Sequence, residues 1–241
     1  MRVIARALAA RRLETEASGV HNLPMQGPAL VVARHYHHLF DGLALFATVP
    51  RPFHIVVTLD WVRSRSTKLY MQALTSLARW PVILRRDAVT RVTPAGKQQC
   101  TALFAPKDVI HYQRRALLHA RDLLAQGRLL VVFPEGYPNI DPRFTPKLTP
   151  EEFLPFKRGF VSIVTAAERS LATPLPIVPL GIQYSRGKCW IARLAFGHAI
   201  YRNQFADIES LVKQAESEVK KLSGLSPSRD VSGYPFEAGG G

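Results

Sequence analysis

The stretch Leu129–Gly136, LLVVFPEG, joins an uninterrupted apolar run to an acid held between a proline and a glycine. Such a run is typical of a strand covered on both faces of a parallel sheet. Pro134 lacks a backbone donor and Gly136 permits a sharp change of direction, so the strand is expected to end there. Ligand sites in open α/β sheets gather at the carboxyl ends of strands, which makes Glu135 a candidate site residue. Taken alone, the segment also fits a turn with a solvated glutamate.

Residues 29–42, ALVVARHYHHLFDG, repeat this arrangement with a histidine cluster in place of the glutamate. The apolar start predicts another buried strand, and three histidines and Asp41 follow within seven positions. An imidazole can take a proton from an alcohol when a carboxylate fixes its tautomer and stabilises the imidazolium. The segment therefore predicts a base with its orienting acid. The alternative is a set of polar residues at the start of a helix.

The remainder of the chain alternates between strand patterns and helix patterns, which predicts an α/β fold. We expect a single domain with a mostly parallel, covered central sheet flanked by helices. Gly127 is placed to end the helix that precedes the LLVV strand. The predicted strands are 28–34, 53–58, 81–85, 128–133, 175–183 and 189–195, and the predicted helices are 2–13, 39–48, 66–78, 109–126, 157–171 and 205–222.

The 241 residues, 47% of them hydrophobic, suffice for one substantial core. We expect an amphipathic N-terminal helix over 1–17, a catalytic domain over 18–222 and a flexible Ser/Gly/Pro-rich tail over 223–241. The opening segment places its apolar and cationic residues on different helical faces, which suits either an anionic bilayer surface or packing on the domain. The apolar residues are Val3, Ile4, Ala7 and Leu8, and the cations are Arg2, Arg6, Arg11 and Arg12.

The formal charge of +14 comes mainly from 23 arginines against 9 lysines, and it indicates an anionic partner. Phosphates on lipids, coenzyme A or nucleic acid all fit, but no basic motif interleaved with aromatic residues favours nucleic acid. Cys100 and Cys189 are too few and too far apart for a metal site or disulfide framework. With no signal peptide and no spanning segment evident, we expect a cytoplasmic protein that associates peripherally with membranes.

Several blocks occur in an order that resembles the PlsC-type glycerolipid acyltransferases, the family of 1-acylglycerol-3-phosphate acyltransferases. The resemblance covers roughly residues 18 to 200 and is most specific for the turn at Glu135. The blocks are Gly19–Pro28, the His/Asp cluster, Arg85 with Arg86, the FPEG turn, Phe156–Gly159 and Pro176–Gly181.

The first block departs from the family pattern of a histidine, four residues and an aspartate. Counting back from Asp41, that pattern requires a histidine where the sequence has Tyr36. We align the block from the strand, which makes His35 the base with one residue inserted before Asp41. His37 remains the alternative base because a helix would bring it onto one face with Asp41. His38 is the weakest candidate.

The resemblance implies transfer of an acyl group from an acyl thioester to a hydroxyl of glycerol phosphate or a lysophospholipid. His35 is then the base and Asp41 its support, with no covalent intermediate because no Gly-x-Ser-x-Gly elbow is present. Glu135 and Gly136 are expected to shape the acceptor pocket, the carboxylate bonding a glycerol hydroxyl. Further expected contacts are Arg85 or Arg86 on the acceptor phosphate and Lys157 and Arg158 on donor phosphates, although each basic pair also fits plain solvent exposure.

No metal or other cofactor is expected beyond acyl-CoA or acyl carrier protein as co-substrate. The proline-rich stretch from Tyr137 to Pro155 is expected to be a substrate-facing flap, with a disordered excursion as the alternative. Two other functions remain open. The histidine cluster with its acid also resembles that of zinc-dependent metallohydrolases, although the spacing differs. A non-catalytic anionic-lipid-binding protein is the second.

Overall fold

The computed structural model describes residues 13–90, 103–142 and 144–225. The strands are β1 Leu13–Ser18, β2 Ala29–Ala33, β3 Phe53–Ile55, β4 Val57–Thr58, β5 Val82–Ile83, β6 Leu129–Val132, β7 Ile177–Arg186 and β8 Trp190–Phe196. The helices are α1 Phe40–Thr48, α2 Arg65–Leu77, α3 Arg86–Thr90, α4 Pro106–Ala125, α5 Gly159–Glu168 and α6 Ile208–Leu222, with 3-10 turns at Val20–Asn22 and Arg202–Gln204.

Six strands form the central sheet in the order β1-β8-β7-β2-β6-β3, and β4 pairs with β5 separately. Every neighbouring pair in the central sheet is parallel except β7 with β8. This architecture confirms the predicted α/β fold with a mostly parallel sheet. Gly127, with φ of 72°, ends helix α4 as predicted, because its amide donates to the carbonyl of Leu124.

Both faces of the central strands are buried, as the apolar runs predicted. Within β2, Val31 packs with one layer while Leu30 and Val32 pack with the other. The first layer includes Ala44 and Leu45 of α1, and the second is supplied by α4, α5 and α6. Alternation of side chains along a strand explains why a continuous apolar run is needed to cover both faces.

Two elements were missed by the sequence reasoning, and one assignment was wrong. Residues 13–17 belong to strand β1 and not to an N-terminal helix, so the folded domain begins before residue 18. Strand β1 lies at the sheet edge with four of its six residues exposed or half-buried polar ones, and this leaves no apolar period to detect. The short helix α3 was also not predicted. The remaining helix assignment, over 2–12, falls outside the described residues.

The predicted tail begins too early. Ser223 is buried and the amide of Leu225 donates to the carbonyl of Lys220, so the ordered fold continues to residue 225. Residues 226–241 lie outside the described part of the chain.

Strands β2 and β6 are parallel neighbours, and their register pairs Val32 with Val132. The loops that follow these strands consequently leave the sheet side by side. This places the histidine cluster next to the FPEG turn, at the carboxyl-terminal ends of the parallel strands.

Candidate active site

His35 and Asp41 form a hydrogen-bonded pair at the carboxyl-terminal end of strand β2. The Nδ1 atom of His35 lies 2.8 Å from Oδ2 of Asp41. The aspartate is buried, whereas 18% of the His35 side chain is exposed. The imidazole also stacks on Phe133 with ring centroids 4.4 Å apart. Because the carboxylate accepts the hydrogen bond that Nδ1–H donates, Nε2 is the unprotonated nitrogen of the neutral ring. The use of this nitrogen as a base stays a prediction.

The Asp41 carboxylate is surrounded by donors. Besides His35, it accepts the amides of Tyr36 at 2.8 Å and His37 at 3.1 Å, and the hydroxyl of Tyr184 at 2.9 Å. Burial, followed by the Asp41 charge, raises the pKa of Tyr184, so this phenol remains a donor at neutral pH. No local pattern indicated Tyr184, which lies on strand β7 far along the chain from Asp41. These donors thus hold the Asp41 carboxylate in one orientation.

His37, the alternative base, has a different role in the structure. Its Nδ1 accepts the amides of Leu39 and Phe40, both at 3.2 Å, at the start of helix α1. Only its backbone amide, and not its ring, bonds Asp41. Burial lowers the pKa of His37 to about 4, with the neighbouring His38 acting in the same direction. With Nδ1 already an acceptor, the neutral ring carries its proton on Nε2 and has no lone pair for a substrate.

Glu135 forms a second acid–base pair, with Lys147, directly behind the first. Its Oε2 lies 2.6 Å from Nζ of Lys147, and both side chains are fully buried. The carboxylate also accepts the amide of His35 at 2.9 Å and that of Leu154 at 3.0 Å. Both oxygens of this buried carboxylate bond groups of the protein, so Glu135 fixes the backbone of His35. Its predicted bond to a glycerol hydroxyl stays a prediction.

Lys147 completes this network and was missed in the sequence. Its ammonium also donates to the carbonyl of His35 and to the side chain of Asn139, each at 3.0 Å. Burial lowers the pKa of Lys147, and the charge of Glu135 opposes that shift. A lone lysine in a proline-rich loop gives no sequence signal, because its burial arises only when the loop folds over the site.

The described residues of the proline-rich loop, 137–142 and 144–155, pack across the His35 segment. The side-chain amide of Asn139 donates to carbonyls within the loop, including that of Glu152 at 2.8 Å. Ile140 exchanges backbone hydrogen bonds with the two sides of His37, as a parallel bridge. The guanidinium of the buried Arg34 donates to the carbonyl of Pro150 in the loop at 2.8 Å. The disordered alternative is therefore wrong, while a substrate-facing role stays a prediction.

The side chain of Arg85 bonds other groups of the protein. Its guanidinium makes two hydrogen bonds to Asp60, at 2.9 and 2.6 Å, and a third to the carbonyl of Gly136 at 2.7 Å. The group also lies 3.9 Å over the ring of Tyr137. Burial alone would lower the pKa of Arg85, but the bonds to Asp60 outweigh it and raise the pKa. These bonds and the burial of the side chain favour a structural role for Arg85, and its predicted contact with the acceptor phosphate stays a prediction. Arg86 is exposed at the start of α3 and stays a candidate.

Gly136 allows a basic side chain to approach the turn. Its φ is 78°, and a Cβ there would lie 3.3 Å from Nζ of Lys157. Lys157 is half exposed, 3.6 Å from a carboxylate oxygen of Asp87. Arg158 instead pairs at the surface with Glu209 of helix α6. The structure thus brings Lys157 beside the turn and directs Arg158 elsewhere.

Two features are absent from the described residues. No group of three His, Cys, Asp or Glu side chains in 13–90, 103–142 and 144–225 is arranged to hold a metal ion. Within the same residues, no helix combines the length and apolarity required to cross a bilayer.

Comparison with known proteins identifies a family and several relatives of this chain. Residues 14–183 match the family described as Acyltransferase. Uncharacterized protein Rv0502 of Mycobacterium tuberculosis and Uncharacterized protein Mb0514 of Mycobacterium bovis are each 34% identical over 170 residues, covering 69% of this chain and 36% of the relative. The chain thus spans about a third of the length of these curated relatives.

A solved structure with a similar fold is the crystal structure of the 1-acyl-sn-glycerophosphate (LPA) acyltransferase, PlsC, from Thermotoga maritima. The TM-score is 0.57 at 18% identity, with 95% of this chain and 79% of that chain covered. At this identity the likeness concerns the fold.

Proposed function

Because the chain belongs to the Acyltransferase family, we propose that it transfers a fatty acyl group from an acyl thioester to a hydroxyl of glycerol phosphate or a lysophospholipid. The observation that carries the proposal is the His35–Asp41 pair, in which a buried carboxylate holds a partly exposed imidazole at 2.8 Å. An alcohol requires a base of this kind before it can attack a thioester.

The proposed mechanism uses one proton shuttle and no covalent enzyme intermediate. Nε2 of His35 accepts the hydroxyl proton as the alcohol oxygen attacks the thioester carbonyl carbon. The tetrahedral intermediate then breaks its C–S bond, and the departing thiolate takes the proton from His35. Asp41 stabilises the transient imidazolium and fixes its orientation. An ester and a free thiol are the products, and the histidine is returned to its starting state.

Anion recognition in this proposal falls to exposed cations around the FPEG turn. Lys157 lies against Gly136, and Arg86 is exposed at the start of α3, the helix that also carries Asp87. We assign the acceptor phosphate to these two residues in place of Arg85, whose donors bond Asp60 and Gly136. The donor is acyl-CoA or acyl carrier protein, and the positive charge of the chain suits either anion as well as an anionic membrane surface.

The test is acceptor-dependent thiol release. Purified protein is mixed with acyl-CoA and lysophosphatidate, and phosphatidate and free thiol are quantified together. We expect equal amounts of both products, little thiol without the acceptor, and neither product with a His35→Asn variant, which controls for contaminating enzymes.

The two alternative functions give different results in the same assay. Thiol release that ignores the acceptor would identify a hydrolase, and stoichiometric zinc in the purified protein would favour the metal-dependent form. Binding of anionic lipid with no product from any donor would identify a non-catalytic binder. Either result would contradict the proposed function.

A further inference from the structure

Helix α2 carries an apolar stripe that is exposed in the described part of the chain. Leu69, Tyr70 and Leu77 are 68%, 67% and 86% exposed, and Ala73 is also exposed. Positions four apart lie one above another on a helix, so 69, 73 and 77 form a line with Tyr70 beside it. These four residues are called the α2 stripe below.

The opposite face of the helix is anchored to the body of the protein. Met71 packs against a buried cluster, and Thr75 is itself buried. The ammonium of Lys68 donates to the carbonyl of Leu103 at 3.0 Å and lies 4.3 Å over the ring of Phe104. These contacts fix the rotation of the helix, so the stripe faces outward as part of a stable surface.

Helix α2 and its flanking segments carry cations and no acids. The sequence has no aspartate or glutamate from residue 61 to residue 86. Arg63 and Arg65 are exposed at the start of the helix, and Arg79 is exposed just beyond its end. An apolar stripe flanked by arginines combines the two features with which a helix lies on a bilayer, apolar burial and attraction to anionic headgroups.

We propose that the α2 stripe docks on the surface of a membrane that contains anionic lipids. Charge favours this occupant over residues 1–12 and over a second copy of the chain. Residues 1–12 carry four arginines, and a second copy of the chain would bring the same arginines to the contact. Both would meet like charge, whereas anionic headgroups meet opposite charge.

The position of helix α2 connects the docking surface to the active site. Asp60 precedes the helix and bonds Arg85, which in turn donates to the carbonyl of Gly136 beside Glu135. Docking through α2 would therefore hold the turn of the active site near the bilayer. In this respect the inference rests on the proposed function, since the acceptor is then a membrane lipid. Vesicle binding itself requires no turnover.

The experiment measures binding to vesicles by co-sedimentation. Vesicles of phosphatidylcholine, with and without phosphatidylglycerol, are offered to the full chain and to a Leu69→Gln/Leu77→Gln variant. Glutamine keeps the helix propensity of leucine while removing its hydrophobicity. We expect the unmodified chain to bind the anionic vesicles, and the stripe variant to bind them on the order of ten-fold more weakly.

A matched control replaces two exposed apolar residues elsewhere, as Met25→Gln/Ile208→Gln. This control is expected to bind as the unmodified chain does. An Arg63→Gln/Arg65→Gln variant is expected to lose the preference for phosphatidylglycerol. Equal binding by the stripe variant and the control, or no binding of the unmodified chain to any vesicle, would overturn the proposal.

Two further readouts keep the interpretations apart. Size-exclusion chromatography of the same proteins would reveal a dimer that the stripe variant dissociates, and that result would assign the stripe to a second copy and overturn membrane docking. Acyl transfer to a short-chain, water-soluble acceptor is expected to be equal in all variants. Stripe-dependent binding without any transfer would support the docking surface while contradicting the proposed function.

Discussion

Two acid–base pairs, His35–Asp41 and Lys147–Glu135, lie at the carboxyl-terminal ends of strands β2 and β6. They are similar in chemistry and differ in the solvent exposure of the basic side chain. In the first, the basic side chain is 18% exposed and one imidazole nitrogen is left for a substrate. In the second, both side chains are fully buried, and the carboxylate bonds backbone amides as well as the ammonium. The proposed function assigns proton exchange to the first pair, whereas the contacts of the second pair hold the backbone of His35 in place.

An acid at the carboxyl-terminal end of a strand can therefore serve in either of two ways. Asp41 tunes and orients a reactive group, whereas Glu135 shapes the backbone on which that group stands, through the amide of His35. The ammonium of Lys147 donates to the carbonyl of His35. The base is thus positioned by both of its peptide groups as well as by its ring.

The largest expected effect follows from Lys147→Met. The substitution leaves the Glu135 carboxylate buried without its counter-charge, which is expected to cost about 3–5 kcal/mol of unfolding free energy. Urea unfolding measures it. The matched variant Lys147→Met/Glu135→Gln removes both charges and is expected to recover part of the loss. Equal stabilities of the unmodified protein and the single variant would show that the pair is not the buried anchor described above.

Asp41→Asn tests the reactive pair. Asparagine can keep much of the geometry but removes the negative charge that stabilises the imidazolium and selects the Nδ1-protonated tautomer. We expect the acyl-transfer rate to fall about 10³-fold with unfolding behaviour changed far less, measured by thiol release and by circular dichroism. A rate within a few-fold of the unmodified protein would contradict the role of Asp41.

Tyr184→Phe removes one of the donors to Asp41 without disturbing the ring packing of Tyr184 against Tyr36 and Trp190. The carboxylate becomes less firmly oriented, so we expect kcat to fall about ten-fold while KM changes little. Steady-state kinetics give both values. Tyr201→Phe, at a half-buried position elsewhere, is the control and is expected to have no effect. A change confined to KM would argue against positioning of the catalytic acid.

The smallest predicted effect concerns the pH dependence of stability and His37. Its pKa is about 4 in the folded protein, against an ordinary value near 6.5. The unfolded chain therefore binds more protons between these values, and stability contributed by neutral His37 is complete above pH 6.5 and lost as the pH falls towards 4. A His37→Asn variant should lose less stability between pH 7 and pH 5 in urea unfolding. Identical losses would contradict the burial of a neutral imidazole.

Much of the fold followed from local sequence patterns. The apolar runs of β2 and β6 predicted two covered parallel strands, and parallel pairing brings their carboxyl ends together. The edge strand β1 escaped prediction because its residues are mostly polar and its pairing partner, β8, lies far along the chain. Local pattern identifies strands that bury side chains, and it fails where long-range pairing alone decides.

The site was predicted less completely, for a related reason. His35 and Asp41 are six positions apart and could be recognised together, so their contact was predicted correctly. The structural roles of Glu135 and Arg85 depend on Lys147 and Asp60, which fold against them from distant segments. Residue type identified these acids and bases as candidates, but only burial and the full set of hydrogen bonds separate reactive groups from structural ones.

In the proposed function the reactive imidazole belongs to His35, and His37 only begins helix α1. Acyl transfer by the matched variants His35→Asn and His37→Asn separates the two histidines, because asparagine can still accept amide hydrogen bonds at a helix start. We expect no detectable turnover with His35→Asn and a rate within a few-fold of the unmodified protein with His37→Asn. Full activity in the His35 variant together with loss of activity in the His37 variant would contradict it.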